Sequence, residues 1–133
     1  MFTLDPRLEN DTVELDRWAL SRVLLMNDTH YPWLILVPQV PDIREIIDLD
    51  ADERATLMNE IVRASEALKT MLNPHKLNVA ALGNAVAQLH VHVIARFTTD
   101  AAWPKPVWTV KPPQPYSADA IADFRRRFAL ATG

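Results

Sequence analysis

The sequence predicts an α+β domain built on an antiparallel sheet. Three observations carry this: short apolar runs fenced by proline and turn residues, one long amphipathic stretch with a capping signal, and a second set of alternating segments followed by a last amphipathic stretch. With 133 residues, 49% of them hydrophobic, the chain can bury one ordinary core. It shows no internal repeat and no boundary, so residues 1–133 read as a single domain.

The elements follow in order. Residues 12–26, TVELDRWALSRVLLM, mix alternation with β-branched and large apolar side chains and read as two short strands with a break near Asp16. Residues 27–32, NDTHYP, are turn chemistry. WLILV, residues 33–37, lies between Pro32 and Pro38, and its shortness favours a buried strand over a helix. The long helix begins near Asp50, with Glu53 three residues on as a capping box. Leu57, Met58, Ile61, Ser65, Leu68 and Leu72 follow helical spacing. Glu53, Arg54, Glu60, Arg63, Glu66 and Lys69 fall largely on the other faces, and Asn73-Pro74 ends the helix.

KLNVAAL (76–82) and VAQLHVHVIARF (86–97) read as two strands joined at Gly83-Asn84. Residues 104–115 hold five prolines, with Trp103 and Trp108 at or near the start. The segment 104–116 is therefore neither helix nor central strand. It is expected to lie extended along the surface and pack through its tryptophans, the alternative being a flap or subunit contact near a site. A C-terminal helix over 117–131 starts at Ser117 and turns Ile121, Phe124 and Phe128 inward. Arg125, Arg126 and Arg127 read as its solvated face.

Composition excludes several functions. A net charge of −3 gives no sign of a nucleic-acid binder. The absence of cysteine removes disulfides and thiolate metal sites. The first residues show no basic start with an apolar run, and no apolar stretch approaches the ~20 residues of a membrane helix, so the expectation is a cytoplasmic protein. Only two glycines occur, too few for a Walker loop or a dinucleotide fingerprint.

The informative stretch is QLHVHVIAR, residues 88–96. In a strand, alternate side chains share a face. Leu89, Val91 and Val93 would enter the core, while Gln88, His90 and His92 would line the other face, with Ile94 and Arg96 continuing the row. Same-face neighbours lie roughly 6 to 7 Å apart, close enough to grip one small anion. Between Glu66 and Asp100 there is no acid, but Lys69, Lys76 and Arg96 are present, which suits an anionic ligand better than a cation. A metal site using the histidine pair stays open, with His30 or His75 as a third ligand. The three serines sit in no Gly-x-Ser-x-Gly turn, and the acids cluster in solvated positions, so serine-hydrolase and glycosidase readings are weak. Histidine acting on phosphorus remains, since a neutral imidazole is a competent nucleophile near neutrality.

On Gln88-Leu89-His90-Val91-His92-Val93-Ile94 the chain resembles the histidine triad (HIT) superfamily, whose signature is His-x-His-x-His on a strand, here with Gln in place of the first histidine. Asn78, Gly83, the early strands, the long helix and Trp103-Pro104 extend the resemblance over roughly residues 15 to 110. It implies a HIT-like fold and a nucleotide hydrolase or transferase. His90 would attack the α-phosphate. His92 would help bind phosphate, and its carbonyl would orient the His90 ring. Gln88 would substitute an amide for the first histidine. Asn78 and Asn84 would donate to phosphate oxygens near Gly83, and Asn27 or Asp28 would meet the ribose. Substrates of the nucleoside phosphoramidate or dinucleoside polyphosphate type are implied, with no cofactor beyond Mg²⁺ arriving on the substrate, and a homodimer. Two departures stand out. Gln88 cannot carry an imidazole's proton or charge. Ala85 occupies a position where the family often has a serine near the leaving group.

Overall fold

The computed structural model describes residues 1–133. A short helix α1 (Pro6–Asp11) leads into strands β1 (Thr12–Arg17), β2 (Ser21–Met26) and β3 (Trp33–Pro38). A 3₁₀ turn (Ile46–Asp48) precedes the long helix α2 (Ala51–Leu72), then come β4 (Lys76–Ala80), β5 (Val91–Arg96) and helix α3 (Ala118–Thr132). The five strands form one antiparallel sheet in the order β1-β2-β3-β5-β4. The α+β expectation, with an antiparallel sheet, a long helix and a C-terminal helix, describes this architecture.

Local chemistry explains the boundaries. The Asp50 carboxylate accepts from the Glu53 N–H while Glu53 accepts from the Asp50 N–H, so α2 starts on the capping box read from the sequence. Asn73 closes the helix in the left-handed conformation, φ 46°. Ser117 caps α3 by accepting from Ala120 N–H. The two expected strands separate at residues 18–20 rather than near Asp16, where β1 has only a bulge between Glu14 and Asp16 and runs on to Arg17.

The sheet is covered on both faces, so β2, β3 and β5 are buried nearly throughout, β3 being wholly apolar and β5 carrying His92 and Arg96. On one face Ala64, Ala67 and Leu68 of α2 and Phe124 and Phe128 of α3 pack on Val23, Leu25, Leu34, Leu36 and Val93. On the other, Leu4 and Leu8 from the N-terminal segment and Ala102 and Val107 from the tail cover Leu24, Ile35 and Ile94.

Several expectations need correction. The segments 76–82 and 86–97 are strands only over Lys76–Ala80 and Val91–Arg96. Residues 81–90 form a loop that turns at Gly83, whose φ of 73° an L side chain rarely adopts. Glu60 is not on a solvated face. It is buried, and its Oε2 accepts from the Leu20 N–H at 3.0 Å, satisfying a backbone donor that the β1–β2 turn leaves unpaired. Met58, placed by periodicity on the apolar stripe, is exposed. The three arginines of α3 are not simply solvated: Arg127 donates to Met71 O at the end of α2, and Arg125 to Glu14 O in β1. Helix α1 was not expected, although Asp5 before Pro6 is a readable start, with the Asp5 carboxylate accepting from Arg7 N–H.

Candidate active site

The site sits where β5 begins. Val91 and Val93 point toward α2, and His92, Ile94 and Arg96 point to the opposite face. Trp33 stands opposite Ile94 in the β3–β5 ladder, which makes His92 its same-face diagonal neighbour. Trp33 Nε1 donates to His92 Nδ1 at 2.9 Å. An indole N–H can only donate, so His92 Nδ1 is an acceptor and the ring carries its proton on Nε2. Trp108, from the proline-rich segment, meets the same ring edge-on at 4.7 Å. Burial, reinforced by the neighbouring His90, pushes the His92 imidazole down from 6.5 to about 3. His92 is therefore a neutral, fixed Nε2–H donor at neutral pH.

His90 is arranged the other way. Its Nδ1 lies 2.7 Å from Gln88 O. A carbonyl can only accept, so Nδ1 holds the proton and Nε2 keeps its lone pair in the neutral ring. The two rings meet edge-to-face, centroids 4.9 Å apart. Adjacent imidazoles thus hold opposite tautomers, one offering a lone pair and the other an N–H.

Two hollows lie near this pair: His90 lines the smaller, and the larger is separated from His92 by Trp33 and Trp108. One, of about 230 Å³, is lined by His90, Gly83, Leu82, Arg44 and Ile47. The other, of about 700 Å³, is lined by Asn27, Asp28, Met26, Asn10, Trp33 and Trp108, with the tail as its far wall. The larger one falls in the size range of small-molecule pockets. Trp33 and Trp108 line it and also cover His92.

A HIT domain family model matches residues 7–99. The chain belongs to the HIT family. Three solved histidine triad proteins resemble it over nearly their full length. The one from Bradyrhizobium japonicum is 49% identical, with a TM-score of 0.97 over 99% of this chain and 98% of that one. The Marinobacter aquaeolei protein is 44% identical, TM-score 0.97, covering 99% and 96%. The Sinorhizobium meliloti protein is 42% identical, TM-score 0.96, covering 98% and 96%. Among curated proteins none matches.

Set against the expected site residues of this HIT protein, the geometry brings some together and disperses others. His90, His92 and Gly83 gather at the mouth of β5. Gln88 lies before the ladder and does not share the row of His92. Its side chain turns to the N-terminal segment, where Nε2 donates to Thr3 O and Oε1 accepts from Asp5 N–H. The His90 ring is oriented by the Gln88 carbonyl, not by that of His92, because Gln88 is the residue whose peptide faces Nδ1. Arg96 does not reach the site. It is 1% exposed, with Nε and Nη2 on Asp100, Nη1 on Asn78 and Nη2 also on Lys105 O. That same bond commits the Asn78 side-chain carbonyl to Arg96. Burial pushes the Asp100 carboxyl up, but hydrogen bonds from Arg96 and from the N–H groups of Phe97, Trp103 and Ala102 outweigh it and hold it at about 2.

Asn84 is exposed on the loop beyond Gly83. Asn27 and Asp28 line the larger hollow but are tied to the tail: Asn27 Oδ1 accepts from Tyr116 N–H and Asp28 Oδ1 from Gln114 N–H and His30 N–H. His30 pairs with Asp28, and His75 stacks edge-on against Trp103, so neither joins the histidine pair, and no three metal-binding side chains converge. Sequence reasoning missed Trp33 and Trp108 as site residues. The signal was present, since Trp33 opens an otherwise aliphatic strand and Trp108 interrupts a proline run.

Proposed function

We propose that this chain binds a nucleotide conjugate and cleaves or transfers at its α-phosphate through a covalent nucleotidyl-His90 intermediate. The observation that carries the reading is the pair of opposite tautomers. His90 Nε2 has the lone pair for in-line attack on phosphorus. His92 Nε2–H is a donor that needs no proton uptake to meet a non-bridging oxygen as charge develops there. Attack forms an N–P bond and expels the leaving group. Water then opens that bond, returning the lone pair to Nε2 and releasing a nucleoside monophosphate. Gly83, which lines the hollow at His90, and Asn84 after it on the loop are the contacts proposed for phosphate, and the hollow bounded by Asn27, Asp28 and Trp33 is the one proposed for the nucleoside.

Nucleoside phosphoramidates and dinucleoside polyphosphates are the substrate classes to test. Incubation with α-phosphate-labelled substrate should leave acid-labile label on the wild type and none on His90→Ala, with release of monophosphate abolished in the variant. Activity retained by His90→Ala would defeat the reading. A second reading is a nucleotide-binding or sensor protein with little turnover. It is favoured by Ala85 in place of a serine and by the two tryptophans over His92. Saturable binding with no product over hours would select it. A homodimer is also proposed. Met58 and Val62 on α2 and Val79 on β4 are exposed apolar side chains, and β4 is an edge of the sheet with no further strand beside it; sedimentation equilibrium tests the dimer.

A further inference from the structure

His90 lies one residue before β5, outside the ladder. The hydrogen-bonded register runs from Val91, paired with Leu36, to Arg96, paired with Lys76, and does not reach His90. Sheet pairing therefore does not fix the peptide that presents the ring. Something else must, because a nucleophile needs one tautomer and one orientation.

Gln88 supplies the connection. Its carbonyl takes the His90 Nδ1–H at 2.7 Å, while its amide makes two bonds to one stretch of backbone: Asp5 N–H to Oε1 at 2.9 Å and Nε2–H to Thr3 O at 2.8 Å. A primary amide presents a donor and an acceptor side by side, which matches the N–H and C=O of residues two apart. An imidazole's two nitrogens diverge around the ring, and protonation removes the acceptor altogether. The loop has further ties on either side. Arg7 Nη1 donates to Ala85 O at 2.7 Å, and Leu89 N–H to Ile43 O at 2.9 Å. The N-terminal segment is itself anchored, with Leu4 and Leu8 buried against Ile35 and Ile94.

We propose that Gln88 is a positioning residue: it clasps the Thr3–Asp5 backbone so that its own carbonyl holds His90 in the tautomer that leaves Nε2 free. The N-terminal segment thereby becomes a structural part of the nucleophile's support, and glutamine at this position is a change of role rather than a weakened histidine. The catalytic meaning of this rests on the reading of His90 as nucleophile, but the tautomer does not.

The test reads imidazole nitrogens by ¹⁵N NMR at about pH 8, above the ordinary histidine range, with His90 signals assigned by their loss in His90→Ala. Gln88→Ala removes both amide bonds. Asp5→Pro removes the N–H donor together with the carboxylate cap, and the Asp5 φ of −55° suits proline. Asp5→Ala loses the carboxylate cap but keeps the N–H. Gln88→Ala and Asp5→Pro should each convert His90 from a pure Nδ1–H form to a mixture, the double variant being no worse than the worse single, while Asp5→Ala leaves the tautomer as in wild type. With a turned-over substrate, kcat should fall by about tenfold or more with KM changed little. If Asp5→Pro does not fold, Gln88→Glu, which keeps the acceptor and loses the donor, takes its place and should also give a mixture. Unchanged His90 nitrogens in Gln88→Ala and its partner variant would overturn the proposal. A shifted tautomer in a protein that never releases product would uphold it and count against the enzymatic reading alone.

Discussion

Acid should weaken this fold through His92, by an amount the structure allows to be worked out. The ring is 6% exposed, accepts a hydrogen bond from Trp33 at 2.9 Å and touches Trp108. Protonating it would break the Trp33 bond and bury a charge beside His90. Burial first, then His90, holds it at about 3, against 6.5 for the free side chain. The folded value is the lower one. Below pH 6.5 the unfolded chain takes up a proton that the folded chain refuses, so the contribution is complete above 6.5 and is lost as pH falls toward 3. At about pH 5 the loss is RT ln(1 + 10^1.5), about 2 kcal/mol, and the unfolded value alone sets it because the folded ring is still neutral there. Urea unfolding at about pH 7.5 and about pH 5, in wild type and in His92→Gln, isolates the effect. The variant keeps an acceptor for the indole N–H and does not titrate. Wild type should lose about 2 kcal/mol more than His92→Gln between the two conditions, roughly a 1 M difference in midpoint shift at typical slopes. Parallel losses in the two proteins would refute the reasoning.

Three other perturbations probe separate parts of the molecule. Asp100→Ala leaves the buried Arg96 guanidinium without its carboxylate and should cost about 3–5 kcal/mol in chemical denaturation; a loss below about 1 kcal/mol would show that the cation finds its balance elsewhere. Trp108→Ala uncovers one side of His92, and NMR titration should find that ring's pKa moved up from about 3 toward the ordinary 6.5. Asp50→Ala breaks the capping box of α2 and should cost about 1 kcal/mol by thermal unfolding, with no change at the histidines.

What the sequence revealed follows the range of the forces involved. The start of α2 at Asp50, its end at Asn73 and the buried run of β3 depend on residues within a few positions of one another, and all were legible. The alternation of Leu89, Val91 and Val93 against His92, Ile94 and Arg96 was legible too, because it needs only an extended backbone. The errors lie where a distant group decides. Glu60 reads as a solvated carboxylate until the Leu20 N–H, forty residues away, is found without a backbone partner. Arg96 reads as an anion grip until the turn after β5 brings Asp100 back onto it. Gln88 reads as a member of the histidine row because period-two reasoning assumes the strand continues, and the Gly83 loop and the N-terminal segment end it.

The two histidines, though two residues apart, are held by different parts of the molecule. His92 is within the ladder, and its tautomer is set by Trp33 on β3 and its burial by Trp108 on the tail. His90 is outside the ladder, and its tautomer is set by a carbonyl whose position depends on residues 3 to 5. A change in the tail should therefore act first on the donor, and a change near the N-terminus first on the nucleophile. Independent sites add in free energy, whereas residues sharing a support do not. Trp108→Ala and Gln88→Ala, which share no contact, should accordingly combine additively in unfolding free energy, while Gln88→Ala and Asp5→Pro should not. That pattern would mean the two imidazoles are held by separate parts of the molecule, rather than their arrangement being a property of the strand itself.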